Sequence, residues 1–134
     1  MPSPDTPHTA LASLRSANRL NAFKHAFAGI VLLVKTQPNA RIHLLASLAV
    51  VALGWWLQVP AQHWAMLTLA MGGVWTAEAL NTAVETVVNL VSPQWHALAR
   101  DAKDLAAAAV LLATLAAVAT GLLIFGPALA ARWG

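Results

Sequence analysis

The sequence predicts an all-α membrane protein in which an N-terminal amphipathic surface helix precedes three transmembrane helices. Of its 134 residues, 59% are hydrophobic and only 10% are charged, a composition typical of membrane proteins. The apolar residues fall into stretches separated by short turns that contain proline, and four of the five acidic residues lie in one window. The length corresponds to one domain. Because cysteine is absent, disulfides and thiolate metal sites are excluded.

The N-terminal part of the chain is expected to lie outside the hydrocarbon core. We predict a disordered tail at residues 1–15, since the first ten contain three prolines and no apolar periodicity, and a single membrane domain at residues 16–134. No signal peptide is expected, because the first apolar run, residues 30–34, comes late and is closed by a lysine. Residues 18–36 have apolar side chains at helical spacing but are too short a run to cross a bilayer, so we expect a helix in the interface plane. A soluble helix packed on a core is the alternative.

Three longer apolar stretches are predicted to cross the membrane. They are residues 42–59, 64–91 and 105–126. Before the first, Pro38 disfavours helix at Gln37 and predicts a corner there. After the third, Gly126 and Pro127 are expected to end the helix.

The distribution of lysine and arginine predicts the orientation. Five precede the first span, the first turn has none, Arg100 and Lys103 lie in the second turn, and Arg132 follows the third span. By the positive-inside rule, the N-terminus and the second turn are cytoplasmic and the C-terminus is outside. Tryptophans typical of a membrane interface flank the first turn at Trp55, Trp56 and Trp64. The eight basic residues are scattered singly, so we expect no nucleic-acid partner.

The acidic window predicts a carboxylate site inside the membrane. On a helix, Glu78 and Glu85 share one face about 10 Å apart, with Asn89 on the same stripe and Asn81 to one side. Counted from Trp64, Glu78 lies about 21 Å and Glu85 about 31 Å along the helix, against a hydrocarbon thickness of about 30 Å. Glu78 is therefore expected inside the inner leaflet, facing a cavity or a protein partner, and Glu85 at the aqueous rim.

A basic group is expected close to these carboxylates. Lys103, together with the free N–H groups at the start of the third span, predicts a phosphate site at the cytoplasmic rim. Asp104 is interpreted either as the helix cap or as a metal or nucleotide ligand. No soluble-enzyme motif is found, so the residues alone indicate an intramembrane carboxylate site open to the cytoplasm.

At these positions the sequence resembles the small integral-membrane prokaryotic lipid kinases, which comprise diacylglycerol kinase and undecaprenol kinase. The segments that carry the resemblance are EALNTAVETVVNLVSP and ARDAKDLAAAAVLL, with weaker support from FKHAFAGI and NARIHLLA, and it extends over residues 20–126. It implies phosphoryl transfer from MgATP to a lipid alcohol by a homotrimer with shared active sites. It also implies a multi-pass protein of the bacterial inner (plasma) membrane whose site faces the cytoplasm.

The resemblance also implies roles for individual residues. Glu78 corresponds to the general base that binds the lipid hydroxyl and takes its proton, and Asn81 to the amide beside it. Glu85 corresponds to a ligand of both Mg²⁺ and ATP. The other implied ATP contacts are Trp95, His96, Lys103 and Asp104, with His25 as a further candidate.

The chain departs from the family pattern at two positions. Gln37 stands where the family usually has a glutamate that is a second Mg²⁺ ligand, and Asn89 where it usually has an aspartate. An amide oxygen is a weaker ligand for Mg²⁺ than a carboxylate, so we expect weaker metal binding, with Gln37 kept as a weak ligand.

Several interpretations remain open from the sequence. Diacylglycerol is the preferred substrate, and undecaprenol is its rival. A small oligomeric proton-linked channel or carrier that uses Glu78 and Glu85 is an alternative of another class, and an inactive membrane scaffold is a third. His43 and His63 lie near span ends, and we expect them to be interfacial.

Overall fold

The computed structural model describes residues 7–134, with side chains described for Arg19 and from Asn21 onward. The described chain forms four helices, α1 (Pro7–Thr36), α2 (Pro38–Trp56), α3 (Ala61–Val91) and α4 (Ala97–Trp133), and contains no strand. The prediction of an all-helical protein is therefore confirmed. Helix α1 begins earlier than expected, so residues 7–15 are helical and not a disordered tail, whereas residues 1–6 lie outside the described part. Proline at a first helical position is compatible with this early start.

A single residue separates α1 from α2. Gln37 is extended (φ −104°, ψ 117°), and Pro38 occupies the first position of α2. This arrangement confirms the predicted corner, and it begins α2 four residues before the predicted start of the span. Arg41 holds the corner, because its guanidinium donates to the carbonyl oxygens of Val34 at 3.0 Å and Lys35 at 2.6 Å. These carbonyls belong to the last turn of α1, where intrahelical donors are absent.

The turn between α2 and α3 ends α2 at Trp56, earlier than the predicted residue 59. The N–H of Gln58 donates to the carbonyl of Trp55, and the N–H of Val59 donates to that of Gly54, both at 3.2 Å. Gln58 has a φ of 54°, the left-handed conformation that closes such a helix end. Glycine is the usual residue in this conformation, so the sequence carries no clear stop signal here.

Helix α4 continues through Pro127 to Trp133, and the predicted stop at Gly126 and Pro127 is wrong. Beyond the proline, α4 is held against the end of α2. The Arg132 guanidinium lies 4.6 Å from the centre of the Trp56 ring, and Trp133 contacts the same ring edge-on with centroids 6.2 Å apart. These contacts stabilise the last turns of the helix, although Pro127 lacks the N–H that would bond to the preceding turn.

The end of the molecule that contains these tryptophans also holds its main core. Val59, Leu67, Ile124 and Phe125 are buried together there. At the centre of the chain, the Trp75 indole on α3 donates to the Ser47 hydroxyl on α2 at 3.1 Å. Helix α3 packs most extensively against α4 and less against α2.

Much of the large apolar surface is exposed to the surroundings. Leu69, Leu90 and Leu123 are each more than three-quarters exposed, and so are Phe23 of α1, Trp95 and Trp133. Apolar surface on this scale is covered in nature by lipid or by other protein chains.

By length and composition, one of the described helices, Ala97–Trp133, is apolar enough to cross a membrane, with a mean hydropathy of 2.4 in its most apolar stretch. Polar residues lower the mean hydropathy of the helices that hold the other two predicted spans: Arg41 and His43 in α2, and Glu78 and Glu85 in α3. The crossing of α2 and α3 therefore remains a prediction.

Candidate active site

Glu78 lies on the face of α3 that points into the bundle. Glu78 is 1% exposed and is one of the most deeply buried residues in the described chain. Across from it on α2, the Nε2 atom of His43 lies 3.9 Å from Glu78 Oε2, and the His43 side chain is 15% exposed. His43 therefore lies against the predicted carboxylate site, a contact that the sequence did not indicate, and its interfacial depth stays a prediction. The contact between His43 and Glu78 is not visible in the sequence, because the two residues lie on helices that meet only in the folded chain.

Asn81 and Glu85 continue the same face of α3 by one and two turns. The Asn81 amide donates to Glu85 Oε1 at 3.4 Å. Glu78, Asn81, Glu85, His43 and Asn39 line one cavity of about 330 Å³, which α4 closes with Ala107, Val110, Leu111 and Thr114. The three α3 residues predicted to form a carboxylate site are thus brought together, and the structure adds groups from α2 and α4.

Two acceptor atoms in this cavity have no hydrogen-bond donor among the described residues. They are Glu78 Oε2 and Asn81 Oδ1, and both are buried. Buried polar atoms without partners are uncommon in folded proteins, and each such atom favours a ligand that supplies the missing donor. The hydroxyl of an alcohol is a donor of this kind.

An apolar groove of about 470 Å³ adjoins the carboxylate cavity. His43 and Thr114 line both spaces, so the groove begins where the carboxylate cavity ends. Its other walls come from α2, α3 and α4 and are formed mainly by Val50, Leu53, Met71, Val74, Val118 and Phe125. A molecule with a polar end and an apolar body would therefore fit across the two spaces.

A second polar cavity, of about 400 Å³, lies at the turn between α3 and α4. It brings together the four residues of this region predicted to contact a nucleotide, which are Trp95, His96, Lys103 and Asp104, and adds Asn89, Ser92, Gln94 and Arg100. Lys103 Nζ donates to Asn89 Oδ1 at 2.6 Å. The two cavities follow one another along α3, since Glu85 lines the first and Asn89, one turn further on, lines the second.

The start of α4 differs from the predicted one. The helix begins at Ala97, and the His96 imidazole caps it by accepting from the Leu98 N–H at 3.2 Å. Lys103 and Asp104 therefore lie in the second turn, so Asp104 is not the cap and Lys103 does not lie at the helix start. Asp104 lies instead 3.5 Å from the Arg100 guanidinium, one turn earlier and exposed. The sequence predicts the third span from residue 105, where the apolar run begins, whereas the more polar residues 97–104 before it are helical too.

Two other predicted residues do not join these cavities. Gln37 is half-buried at the corner between α1 and α2, where its side chain makes no capping bond, and Asn39 of the same corner lines the carboxylate cavity instead. His25 is exposed on α1 and lines neither polar cavity.

The residues present fit Mg²⁺ only together with phosphate oxygens. Within the described residues, no three histidine, cysteine, aspartate or glutamate side chains cluster as a metal site. Glu85 supplies one carboxylate, and Asn81 supplies an amide oxygen without a donor. Mg²⁺ is commonly held by one or two carboxylates, water and substrate phosphates, so this set of ligands is sufficient when a nucleotide is bound.

A depth count on the other helices gives His43 the same level as Glu78, although it does not give the direction in which His43 faces. It lies thirteen residues from Trp56 and Glu78 lies fourteen from Trp64, so on antiparallel helices both are about 20 Å from the aromatic end. Nothing in the sequence indicated that Thr114 would line the site, because the direction of its side chain depends on how α4 is rotated against α3.

Comparisons with known proteins show which family the chain is similar to. The sequence pattern of the family described as prokaryotic diacylglycerol kinase matches residues 24–125. An undecaprenol kinase of Bacillus subtilis is 38% identical over 116 residues, which are 84% of this chain and 94% of that protein. A diacylglycerol kinase of Synechocystis sp. is 45% identical over 105 residues, 78% of this chain and 60% of that protein. The diacylglycerol kinase of Escherichia coli is 38% identical over 76 residues, 57% of this chain and 62% of that protein.

Together, the helical fold and the comparisons define the class as membrane lipid kinases. Within that class, the chain belongs to the prokaryotic diacylglycerol kinase family.

Proposed function

We propose that this protein transfers the γ-phosphate of ATP to the hydroxyl of diacylglycerol, giving phosphatidic acid. The observation that carries the proposal is the buried Glu78 carboxylate, whose Oε2 has no donor within the described chain and whose cavity opens into an apolar groove. A lipid alcohol meets both requirements, since its hydroxyl donates to the carboxylate while its chains lie in the groove.

Glu78 is the proposed general base. In the transfer step, Glu78 Oε2 takes the proton of the lipid hydroxyl as that oxygen forms a bond to the γ-phosphorus, and the bond between phosphorus and the β–γ bridging oxygen breaks to release ADP. Asn81 keeps Glu85 in place through its amide, and the His43 imidazole on α2 lies 3.9 Å from the base.

The nucleotide is proposed to bind at the turn between α3 and α4. Lys103 supplies the positive charge for the phosphates, and the exposed Trp95 ring supplies a surface on which the adenine can stack. Glu85 lies between this cavity and Glu78, about 10 Å from the base along α3. When bound there, Mg²⁺ would neutralise charge on the transferred phosphoryl group.

Undecaprenol is the alternative substrate, since the Bacillus subtilis relative is named for it. Both lipids have a hydroxyl at the end of an apolar body, so the carboxylate site serves either.

The membrane arrangement is also a proposal. Helices α2, α3 and α4 cross the inner membrane, α1 lies on its cytoplasmic surface, and the carboxylate site opens to the cytoplasm while the C-terminus is outside. The homotrimer with shared sites is proposed from the resemblance to the family, and in such an assembly lipid and neighbouring chains would cover the exposed apolar faces.

The test is γ-phosphate transfer from ATP to dioleoylglycerol in mixed micelles, with Mg²⁺ titrated, for the native chain and Asn89→Asp, which places a carboxylate in the cavity beside Lys103. We expect activity in the native chain that needs raised Mg²⁺, and a lower Mg²⁺ requirement in the variant, because a carboxylate is the better ligand for this ion. Gln62→Glu adds the same charge at the opposite end of α3 and should leave the Mg²⁺ requirement unchanged.

Two outcomes would contradict the proposal. Transfer to undecaprenol in preference to diacylglycerol would refute the choice of substrate. If no lipid is phosphorylated, the kinase proposal fails, and proton flux in liposomes would then favour a carrier while its absence would favour a scaffold.

A further inference from the structure

Thr114 and Thr82 are the two described threonines whose hydroxyl is buried without a hydrogen-bond partner, and of these two Thr114 lines the carboxylate cavity. A threonine hydroxyl within a helix commonly donates to the carbonyl oxygen four residues earlier. Thr36, Thr86 and Thr120 do so, each at 2.8 Å. Thr114 does not: its Oγ1 is buried and has no hydrogen-bond partner among the described residues.

The position of Thr114 indicates what its hydroxyl can meet. Thr114 lines both the carboxylate cavity and the apolar groove, and it lies across from His43 where the two spaces join. A lipid whose hydroxyl lies at Glu78 and whose chains fill the groove must therefore pass Thr114 with the atoms next to its hydroxyl-bearing carbon. If one of those lipid atoms is a hydrogen-bond acceptor, it can accept from the Thr114 hydroxyl and so satisfy this buried donor.

The two candidate lipids differ at this point. In a 1,2-diacylglycerol, the carbon next to the hydroxyl-bearing carbon carries an ester, whose carbonyl oxygen is a good acceptor. In a polyprenol, the hydroxyl-bearing carbon is followed by hydrocarbon only, so the threonine donor remains without a partner. A site with a buried donor discriminates against a ligand that lacks the matching acceptor.

We propose that Thr114 is a specificity-determining residue that donates a hydrogen bond to the ester carbonyl of diacylglycerol at the junction of the carboxylate cavity and the apolar groove. This inference rests on the proposed lipid kinase function. It deepens that function by naming the group that selects an ester-containing lipid over a polyprenol.

The experiment compares three lipids with the full-length protein in mixed micelles. They are a diacylglycerol, a dialkylglycerol of matched chain length that has ethers and no carbonyls, and undecaprenol. The variants are Thr114→Val, which keeps the shape and removes the hydroxyl, and Thr114→Ser, which keeps the hydroxyl. Thr120→Val is the matched control on the same helix, because its hydroxyl is already paired with Ala116.

We expect Thr114→Val to lower kcat/KM for the diacylglycerol by roughly 2- to 12-fold, the range for one neutral hydrogen bond, and to leave the dialkylglycerol and undecaprenol unchanged. Thr114→Ser and Thr120→Val should keep the native preference for the ester. An equal loss with all three lipids, or no change with any, overturns the assignment while the kinase function stands. A native chain that phosphorylates none of the three overturns the lipid kinase function itself, and the assignment with it.

Discussion

Replacing Glu78 by glutamine should lower activity and raise stability at the same time. Glutamine has nearly the shape of glutamate, so the helix packing around a side chain that is 1% exposed is kept. Without a carboxylate, the lipid hydroxyl has no base at this position. General acid–base groups contribute about 10²- to 10⁴-fold, so we expect kcat to fall by this factor, equivalent to roughly 3–5 kcal/mol.

The gain in stability follows from the surroundings of the carboxylate. Glu78 Oε2 lies 3.9 Å from His43 Nε2, beyond hydrogen-bond distance, and has no donor in the described chain. The amide of a glutamine carries no charge, and it can donate to Asn81 Oδ1, which also has no partner and lies one turn away. Removing an unsatisfied buried group contributes about 1–3 kcal/mol, so the free energy of unfolding should rise by an amount within this range.

The assay measures γ-phosphate transfer to dioleoylglycerol and, in parallel, thermal unfolding of the same preparations in detergent. Glu85→Gln is the control, because Glu85 is half-buried and its Oε1 already accepts from Asn81. It should raise KM for MgATP without the stability gain. Retention of activity by Glu78→Gln within about threefold would refute the role of Glu78 as base, and a loss of stability would refute the account of its burial.

Two further predictions follow from the turns. Lys103→Met should raise KM for ATP by about tenfold or more, because it removes a charge-assisted contact to phosphate. KM for the lipid should not change. Equal increases in both KM values would contradict the proposed nucleotide site. Gln58→Gly should raise the free energy of unfolding by about 1 kcal/mol, because glycine adopts the left-handed conformation of this residue (φ 54°) without strain. The matched Gln62→Gly, at the second position of α3, replaces a residue whose helical backbone needs no glycine and should not raise it. A thermal melt in which both variants raise it equally would contradict this reasoning.

Local features of the sequence account for much of the helical structure. The corner at Gln37 follows from the proline after it, which disfavours helix at the residue before it. The end of α3 was predicted where the structure has it, at Val91, because Ser92 and Pro93 follow it directly. Where the signal is weaker the prediction failed, as at Gln58, whose left-handed conformation is more typical of glycine.

The limits of α4 depended on contacts with another helix. Proline is a strong stop signal within a sequence, yet α4 passes through Pro127 because Arg132 and Trp133 pack on Trp56, which is remote in the chain. The start of α4 was misplaced for a different reason. Hydropathy marks where a helix becomes apolar, and α4 begins at Ala97 with two polar turns before that point.

The sequence by itself determined the helical class, the family and the face of α3 that holds Glu78, Asn81 and Glu85, because each depends on local spacing along one helix. The tertiary structure alone decided which groups of other helices meet that face. His43 lies beside Glu78, and Thr114 lies at the junction with the apolar groove, because of the way α2 and α4 are rotated against α3. That rotation is set by packing between helices, which no local pattern of residues specifies.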